Sequence, residues 1–576
     1  MDYDVVIRNG RVVDGTGAAG FIGDVALRGT RISAVGTVPG KGRREIDAQG
    51  LLVTPGWVDV HTHMDGQATW DPLLSPASNH GTTTVVMGNC GVGFAPCKPD
   101  AAARDGLIAV MEDVEDIPGT ALHEGITWAW ESFPEYLDAL DRVPHAIDVA
   151  AQVPHCAVRI YVMGERGTRN EVATPEDVAR MAAIVREGIE AGAIGFSTSR
   201  TQLHRTRDGE VMPGTYADEA ELLGIGRVLG DVGQGVYQLV SDWDDWRSEM
   251  DWMKRLSIET GRPIGFVLFY RGNEEWERVR EQLEYVRAAN AEGARLIPHV
   301  GSRPVTILLG FDGTAHPFMM HQAFQPLAGL SDAERLARLR DPAVKAAMLA
   351  ETVPSFGHPI LDRLLSEWDN MYPLGDDPCY EPAPGDSIAA EAARLGISPA
   401  ERAYDRMLEN DGKRMLFFPV FGYQTHDLSR QVSMLEDPSV VLSLSDAGAH
   451  CGVLCDASNP TFMLQYMVRD RTRGHRLPVE LAVHLQTQKT ARSVGLLDRG
   501  VLRPGMKADI NLIDLDKLRL ETPHVIYDLP AGGRRVFQGA EGYVATIVSG
   551  ELIYERGTPT GAMPGRLIRG AQPEPC

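Results

Sequence analysis

The chain of 576 residues has no uninterrupted apolar stretch long enough for the roughly 20-residue helix that spans a bilayer, so no membrane association is expected. It is short of basic charge. Against 79 Asp and Glu there are 56 Lys and Arg, and the net charge of -23 argues against a nucleic-acid surface. That acidity favours solubility and says little about the substrate. Cysteine is scarce: seven, an odd number scattered over the chain, do not form a disulfide framework. Met1-Asp2-Tyr3-Asp4 lacks the basic start and apolar run of a signal peptide. A reducing cytoplasm is therefore the expected setting, where any thiol is free to bind metal. Lysine is missing altogether between Lys98 and Lys254. What remains is an ordinary globular balance, 43% hydrophobic and 23% charged. The length suits one very large domain or two to three smaller ones.

Both ends read as β-rich. Val5-Val6-Ile7, an Asn9-Gly10 turn and Val12-Val13 suggest a hairpin. Short strands follow at Asp24–Leu27, Ile32–Val35 and Leu51–Val53, and similar ones recur at Ala508–Ile513, Tyr543–Val548 and Glu551–Tyr554. Neither end can bury a core alone. Residues 1–54 and 500–560 are expected to join into one small β-sandwich, interrupted by a central domain over 55–499.

The middle alternates strands and helices, as parallel α/β folds do. Thr174-Pro175-Glu176-Asp177 supplies an N-cap, a first-turn proline and acids suited to the helix dipole, and the helix runs to Gly192. Strands are expected before His61 and at Thr82–Met87, Ile147–Ala150, Ala193–Ser197, Gly235–Leu239, Ile264–Leu268, Arg295–Ile297, Met415–Phe418 and Val440–Leu444. That is one more than an eight-stranded barrel needs. The stretch of about 301–414 reads as an insertion, of the kind that often covers a site.

Trp57-Val58-Asp59-Val60-His61-Thr62-His63 carries the strongest chemical signal. Alternate residues of a strand share a face, so His61 and His63 point the same way, with Asp59 below them. Two imidazoles at a strand end can hold a divalent metal, which makes water a nucleophile at neutral pH. Barrel enzymes place their chemistry at the C-terminal ends of strands. Three further ligand types occupy such places. Asp446 follows the last strand, Cys90 lies in Gly88-Asn89-Cys90-Gly91 after Thr82–Met87, and His299 ends Arg295-Leu296-Ile297-Pro298. Their convergence with the histidine pair is far less expected by chance than His-x-His alone. His450 and Cys451, just beyond Asp446, are read as supports behind the ligands or as structural residues. Arg200 and His204 follow another strand end and are candidates for binding a substrate carboxylate.

Pro55 to His63, Gly88-Asn89-Cys90-Gly91 and Ser445-Asp446 together resemble the amidohydrolase superfamily, and the Asn-Cys-Gly loop resembles its D-aminoacylase (N-acyl-D-amino-acid deacylase) branch. Gly500 to Asp509 is similar to the segment by which such chains return to the sandwich. The resemblance implies a distorted (β/α)8 TIM-like barrel with a small β-sandwich built from both termini. It also implies one or two divalent ions, usually zinc (Zn2+), with the cysteine as a ligand. The stretch without lysine leaves no place for the carbamylated lysine that bridges two metals in other amidohydrolases, which supports Cys90 in that position.

The chain also departs from the branch. The Ser-His-x-Lys signature of a middle strand is replaced by Pro263-Ile264-Gly265-Phe266-Val267-Leu268, and an earlier His-x-Arg by Tyr237-Gln238-Leu239-Val240-Ser241. A single metal on His61, His63 and Asp446, with or without Cys90, is then as well supported as a pair. The expected activity is hydrolysis of an N-acyl amino acid or similar small amide, with Asp446 passing the water's proton to the leaving nitrogen. Cyclic-amide hydrolysis and a catalytically degenerate binding protein are the alternatives. The partner is a small amide, with no nucleic acid and no membrane, and a homo-oligomer is left open.

Overall fold

The computed structural model describes residues 2–575 apart from 207, 358, 359 and 444. Eight parallel strands form one sheet in chain order: β1 Trp57–Asp59, β2 Thr82–Met87, β3 Asp148–Pro154, β4 Gly195–Arg200, β5 Val236–Ser241, β6 Ile264–Val267, β7 Leu296–Val300 and β8 Val441–Leu442. The edges meet just past β1 and β8, where Thr62 and Ala447 make a parallel bridge and His63 N–H donates to the Ala447 carbonyl at 2.8 Å. The sheet is thereby closed into a barrel, and helices such as Pro175–Ala191 cover its outside. That helix begins as its sequence suggests. Thr174 accepts from Asp177 N–H, the Asp177 carboxylate accepts from Thr174 N–H, and Gly192 ends it at φ 115°.

The surplus strand is Met415–Phe418. The observed Leu416–Phe421 lies outside the barrel, antiparallel to Val305–Leu309 and Tyr372–Pro373 in a separate three-stranded sheet. It is buried throughout and so imitates a central parallel strand, but its neighbours Leu309, Tyr404 and Met407 form an apolar cluster of their own. Leu444, part of the expected last strand, lies outside the described residues, and the regular strand there is only Val441–Leu442.

The two ends of the chain share one nine-stranded sheet. Leu52–Pro55 from the first end pairs antiparallel with Ile510–Ile513 from the second. Ile7, Val25 and Leu27 share a core with Ile510, Leu512 and Ile547. The expected hairpin at Asn9-Gly10 is absent: Tyr3–Val12 runs straight through as one strand. Asn9, at φ 59°, marks an irregularity in its pairing, and its N–H donates to Asp24 Oδ1 at 3.0 Å. Gly10 serves close packing instead of a turn, since a Cβ there would lie 2.3 Å from Val53 Cγ2.

Barrel and terminal sheet are joined by buried charge. Arg499 donates to Asp148 Oδ2 of β3 at 2.5 Å, and Lys507 reaches the same oxygen at 3.0 Å and Asp509 at 2.6 Å. Burial would raise the Asp148 carboxyl, but Lys507 and Arg499 outweigh it and hold it below the ordinary range. Arg499→Met should therefore lower the stability read from a denaturant midpoint by about 3–5 kcal/mol, because Asp148 is left buried with one cation fewer. The lowered carboxyl stabilises the fold above the ordinary carboxylate pKa and loses that contribution as pH falls through its own value. The substitution should correspondingly weaken the acid dependence of the midpoint.

Candidate metal centre

The regular part of β1 stops at Asp59, two residues short of His61, and Asp59 Oδ1 accepts His61 N–H at 3.1 Å. Thr62 is fixed from both sides. Its N–H and hydroxyl donate to the Val86 carbonyl of β2 at 3.1 and 2.9 Å, and its backbone bridges to Ala447. The flanking imidazoles are held with ring centroids 5.5 Å apart.

Cys90 is presented by a loop that the barrel interior holds atom by atom. Asp65 Oδ2 accepts Gly88 N–H at 3.0 Å. Asn89 donates to the Thr62 and Val86 carbonyls at 3.2 and 2.9 Å and accepts from Gln152 of β3 at 2.8 Å. Cys90 N–H donates to Gln238 Oε1 of β5 at 3.2 Å, and Gly91 N–H to Ser197 Oγ of β4 at 3.0 Å. These bonds sustain a left-handed backbone at Cys90, φ 53°, which costs a non-glycine residue about 1–2 kcal/mol.

His61, His63 and Cys90 are all buried, and one ligand atom from each lies within 4.8 Å of the others. Cys90 Sγ and Asp446 Oδ1 are both 3.3 Å from His61 Nε2, and Asp446 Oδ1 is 3.6 Å from His63 Nε2. Burial pushes His61 down to about 3, against the pull of Asp446, so its imidazole is neutral. Burial pushes the Cys90 thiol up to about 11. Burial would raise Asp446 as well, but His63 and His61 hold it well below the usual carboxylate range. Burial would lower His63, and the charge of Glu115 with the contacts to Asp446 and Cys90 raises it instead. Two imidazole nitrogens and a sulfur crowd one point, with the Asp446 oxygen against both nitrogens, and ring protons are the strong donors available there. A divalent cation resolves that crowding and favours the thiolate, and this donor set suits zinc.

The other expected residues divide. His299 lies within β7, not at its end, and leans over Gly265 of β6, where a Cβ would sit 2.8 Å from its Nε2. Burial lowers it to about 4, its Nδ1 makes no hydrogen bond, and its charge acts on His61. It borders the cluster without joining it. His204 Nδ1 is 3.0 Å from Ser199 Oγ, and its ring feels the charges of Glu115, His450 and His63. Arg200 is not brought in: its Nε donates to Glu249 Oε1 at 2.7 Å and its Nη1 to the Ala217 carbonyl at 2.8 Å.

Several residues at the centre escaped sequence reasoning. Glu115 lies in the acidic run Glu112-Asp113-Val114-Glu115-Asp116, which reads as a solvated helix end, yet it is buried beside His63. Gln238 left a faint sign, a polar residue inside an apolar strand. Arg303, after β7, is buried against Asp456 at 2.7 Å with Nη1 unpartnered. Asp456 in turn feels the charge of Asp446.

Gly88 has φ 78°, and a Cβ there would lie 2.5 Å from the Gln152 carbonyl oxygen. Gly88→Ala should cost at least about 2 kcal/mol in thermal or denaturant unfolding. It should also raise the rate at which Cys90 is alkylated in the folded protein, measured by mass spectrometry of the Cys90 peptide.

A family model described as the amidohydrolase family matches residues 44–554. The N-acyl-D-aspartate deacylase of Alcaligenes xylosoxydans xylosoxydans is 25% identical over 584 residues, covering 98% of this chain and 95% of the relative. A D-aminoacylase solved to define the role of its binuclear metal centre, with one-metal activation and second-metal attenuation, aligns at a TM-score of 0.66. It is 23% identical, covering 99% of this chain and 100% of the other. The N-acyl-D-glutamate deacylase of Bordetella bronchiseptica, solved with zinc and a phosphonate mimic of the tetrahedral intermediate, aligns at 0.64 and 24% identity, with the same coverage. These two structures share the fold described above. The chain belongs to the amidohydrolase family, on its D-aminoacylase branch, and is a hydrolase of carbon–nitrogen bonds other than peptide bonds.

Proposed function

We propose that this protein hydrolyses the amide bond of N-acyl amino acids, the D series foremost, at a centre built from His61, His63, Cys90 and Asp446. The observation that carries the reading is the approach of Cys90 Sγ and Asp446 Oδ1 to within 3.3 Å of one imidazole nitrogen, His61 Nε2. These four residues would hold a divalent ion, which when bound lowers the pKa of water and polarises the scissile carbonyl.

The remaining work falls to the chain. Asp446, ionised beside two imidazoles, takes the proton of the attacking water and delivers it to the leaving nitrogen. Val240 and Val267 pack against Cys90 and keep bulk water from the sulfur. Gln238 is spent on the Cys90 N–H and Gly265 has no side chain, which favours one tightly held metal over a pair.

Metal analysis of the purified protein should give about one zinc per chain. His61→Ala and Asp446→Asn should each lower kcat/KM on N-acetyl-D-amino acids at least about 100-fold with the circular dichroism spectrum unchanged. Normal turnover by Asp446→Asn would remove its proton-transfer role. Faster turnover of hydantoins than of N-acyl amino acids would replace the substrate class with cyclic amides.

A further inference from the structure

The helix Ala101–Glu115 ends on a carboxylate that lies against the centre. Its placement is costly. Glu115 is 2% exposed, and it sits at a helix C-terminus, where the macrodipole disfavours an anion. Its Oε1 makes no hydrogen bond, nor does His63 Nδ1, and these two buried atoms face each other at 3.5 Å. The other nitrogen of the same ring, His63 Nε2, faces Asp446 Oδ1 at 3.6 Å. One imidazole thus spans from the ligand cluster to a carboxylate outside it. His61 Nδ1 is also buried without a hydrogen bond, but among the described residues no carboxylate is paired with it.

We propose that Glu115 is the positioning residue of His63. A displacement of about half an ångström turns the 3.5 Å approach into a charge-assisted N–H···O bond. That bond places the proton on Nδ1, leaves the Nε2 lone pair for the ligand cluster, and fixes the plane of the ring. Glu115 has a second attachment. Its Oε2 is 3.6 Å from His450 Nε2, and its backbone carbonyl accepts the His450 N–H. The segment that carries Asp446 is therefore tied to the residue that aims His63, so that ligands from opposite edges of the sheet share one support. The inference rests on the metal-dependent reading above.

The test is metal affinity of the purified full-length chain, measured with Co2+ and Zn2+ by chelator competition, alongside the melting temperature of the metal-free protein. Glu115→Gln keeps the shape and removes the charge. It should weaken both metals about 10- to 100-fold with the melting temperature of the metal-free protein unchanged or raised. In a His63→Ala background the same substitution should cause no further loss, while in His61→Ala it should keep its full effect. Glu115→Asp should lie between wild type and Glu115→Gln, and it carries the test should Glu115→Gln fail to fold. Affinity of Glu115→Gln within twofold of wild type overturns the proposal, as does the same result for Glu115→Asp where Glu115→Gln does not fold, or an undiminished effect in His63→Ala. A His450→Ala variant that reproduces the loss also overturns it, because the carboxylate would then act through His450. A wild-type chain that binds neither metal removes the metal-dependent reading and this inference together, a result distinct from wild type and Glu115→Gln binding equally.

Discussion

The parallel bridge between Thr62 and Ala447 is the contact on which the centre depends. It joins the first and last strands of the barrel, and it is the point where residues far apart in the chain become neighbours. Alone, one bridge contributes about 1 kcal/mol. Here it is reinforced by the His63 N–H on Ala447 and by the Ser445 hydroxyl donating to the Asp59 carboxylate across the same seam. Regular pairing gives way at this seam. The last strand is two residues long, and Asp446 and His450 adopt left-handed backbone at φ 47° and 48°. Irregular backbone is what lets three ligand side chains turn toward one point instead of alternating across a sheet.

Holding such a cluster inside a barrel opposes folding. Imidazoles, a thiol and carboxylates without water around them lose hydration that their mutual contacts only partly replace. The barrel interior compensates by satisfying the backbone around them. The Gly88, Cys90 and Gly91 N–H groups donate to Asp65, Gln238 and Ser197, and Gln152 donates to the Asn89 side chain between them, so that Gln152, Ser197 and Gln238 come from consecutive strands. The polar residues below the ligands form a scaffold, with the reactive atoms left over at its top.

Much of this was legible in the sequence because it is local. The strand before His61, the glycines around Cys90 and the helix capped by Thr174 are all written within a few residues, where period, φ preference and capping chemistry act. The joining of both ends into one sheet was legible by subtraction, since neither end could bury its strands alone. What stayed hidden depends on partners distant in the chain. Leu416–Phe421 has the composition of a barrel strand, and only its pairing with Val305–Leu309 reveals otherwise. Asn9-Gly10 has the composition of a turn, and only the close approach of Val53 explains the glycine. Arg200 has the chemistry of a carboxylate binder until Glu249 is seen to occupy it. Glu115 is the hardest case, because an acid in an acidic helix end gives no sign of being buried.

The departures at β5 and β6 bear on whether this barrel is an enzyme or a relic. Had the middle strands simply lost their metal-binding side chains, apolar residues would be expected to fill the space, since they stabilise a core at less cost than partly satisfied polar groups. The interior shows something else. Gln238 takes up the N–H of Cys90 and thereby supports the strained backbone that aims the sulfur. Gly265 leaves room that the imidazole of His299, from the next strand, occupies at the border of the cluster. Both positions are thus committed to the same centre by other means. A polar interior arranged around His61, His63, Cys90 and Asp446 fits a working hydrolase better than a degenerate binding fold.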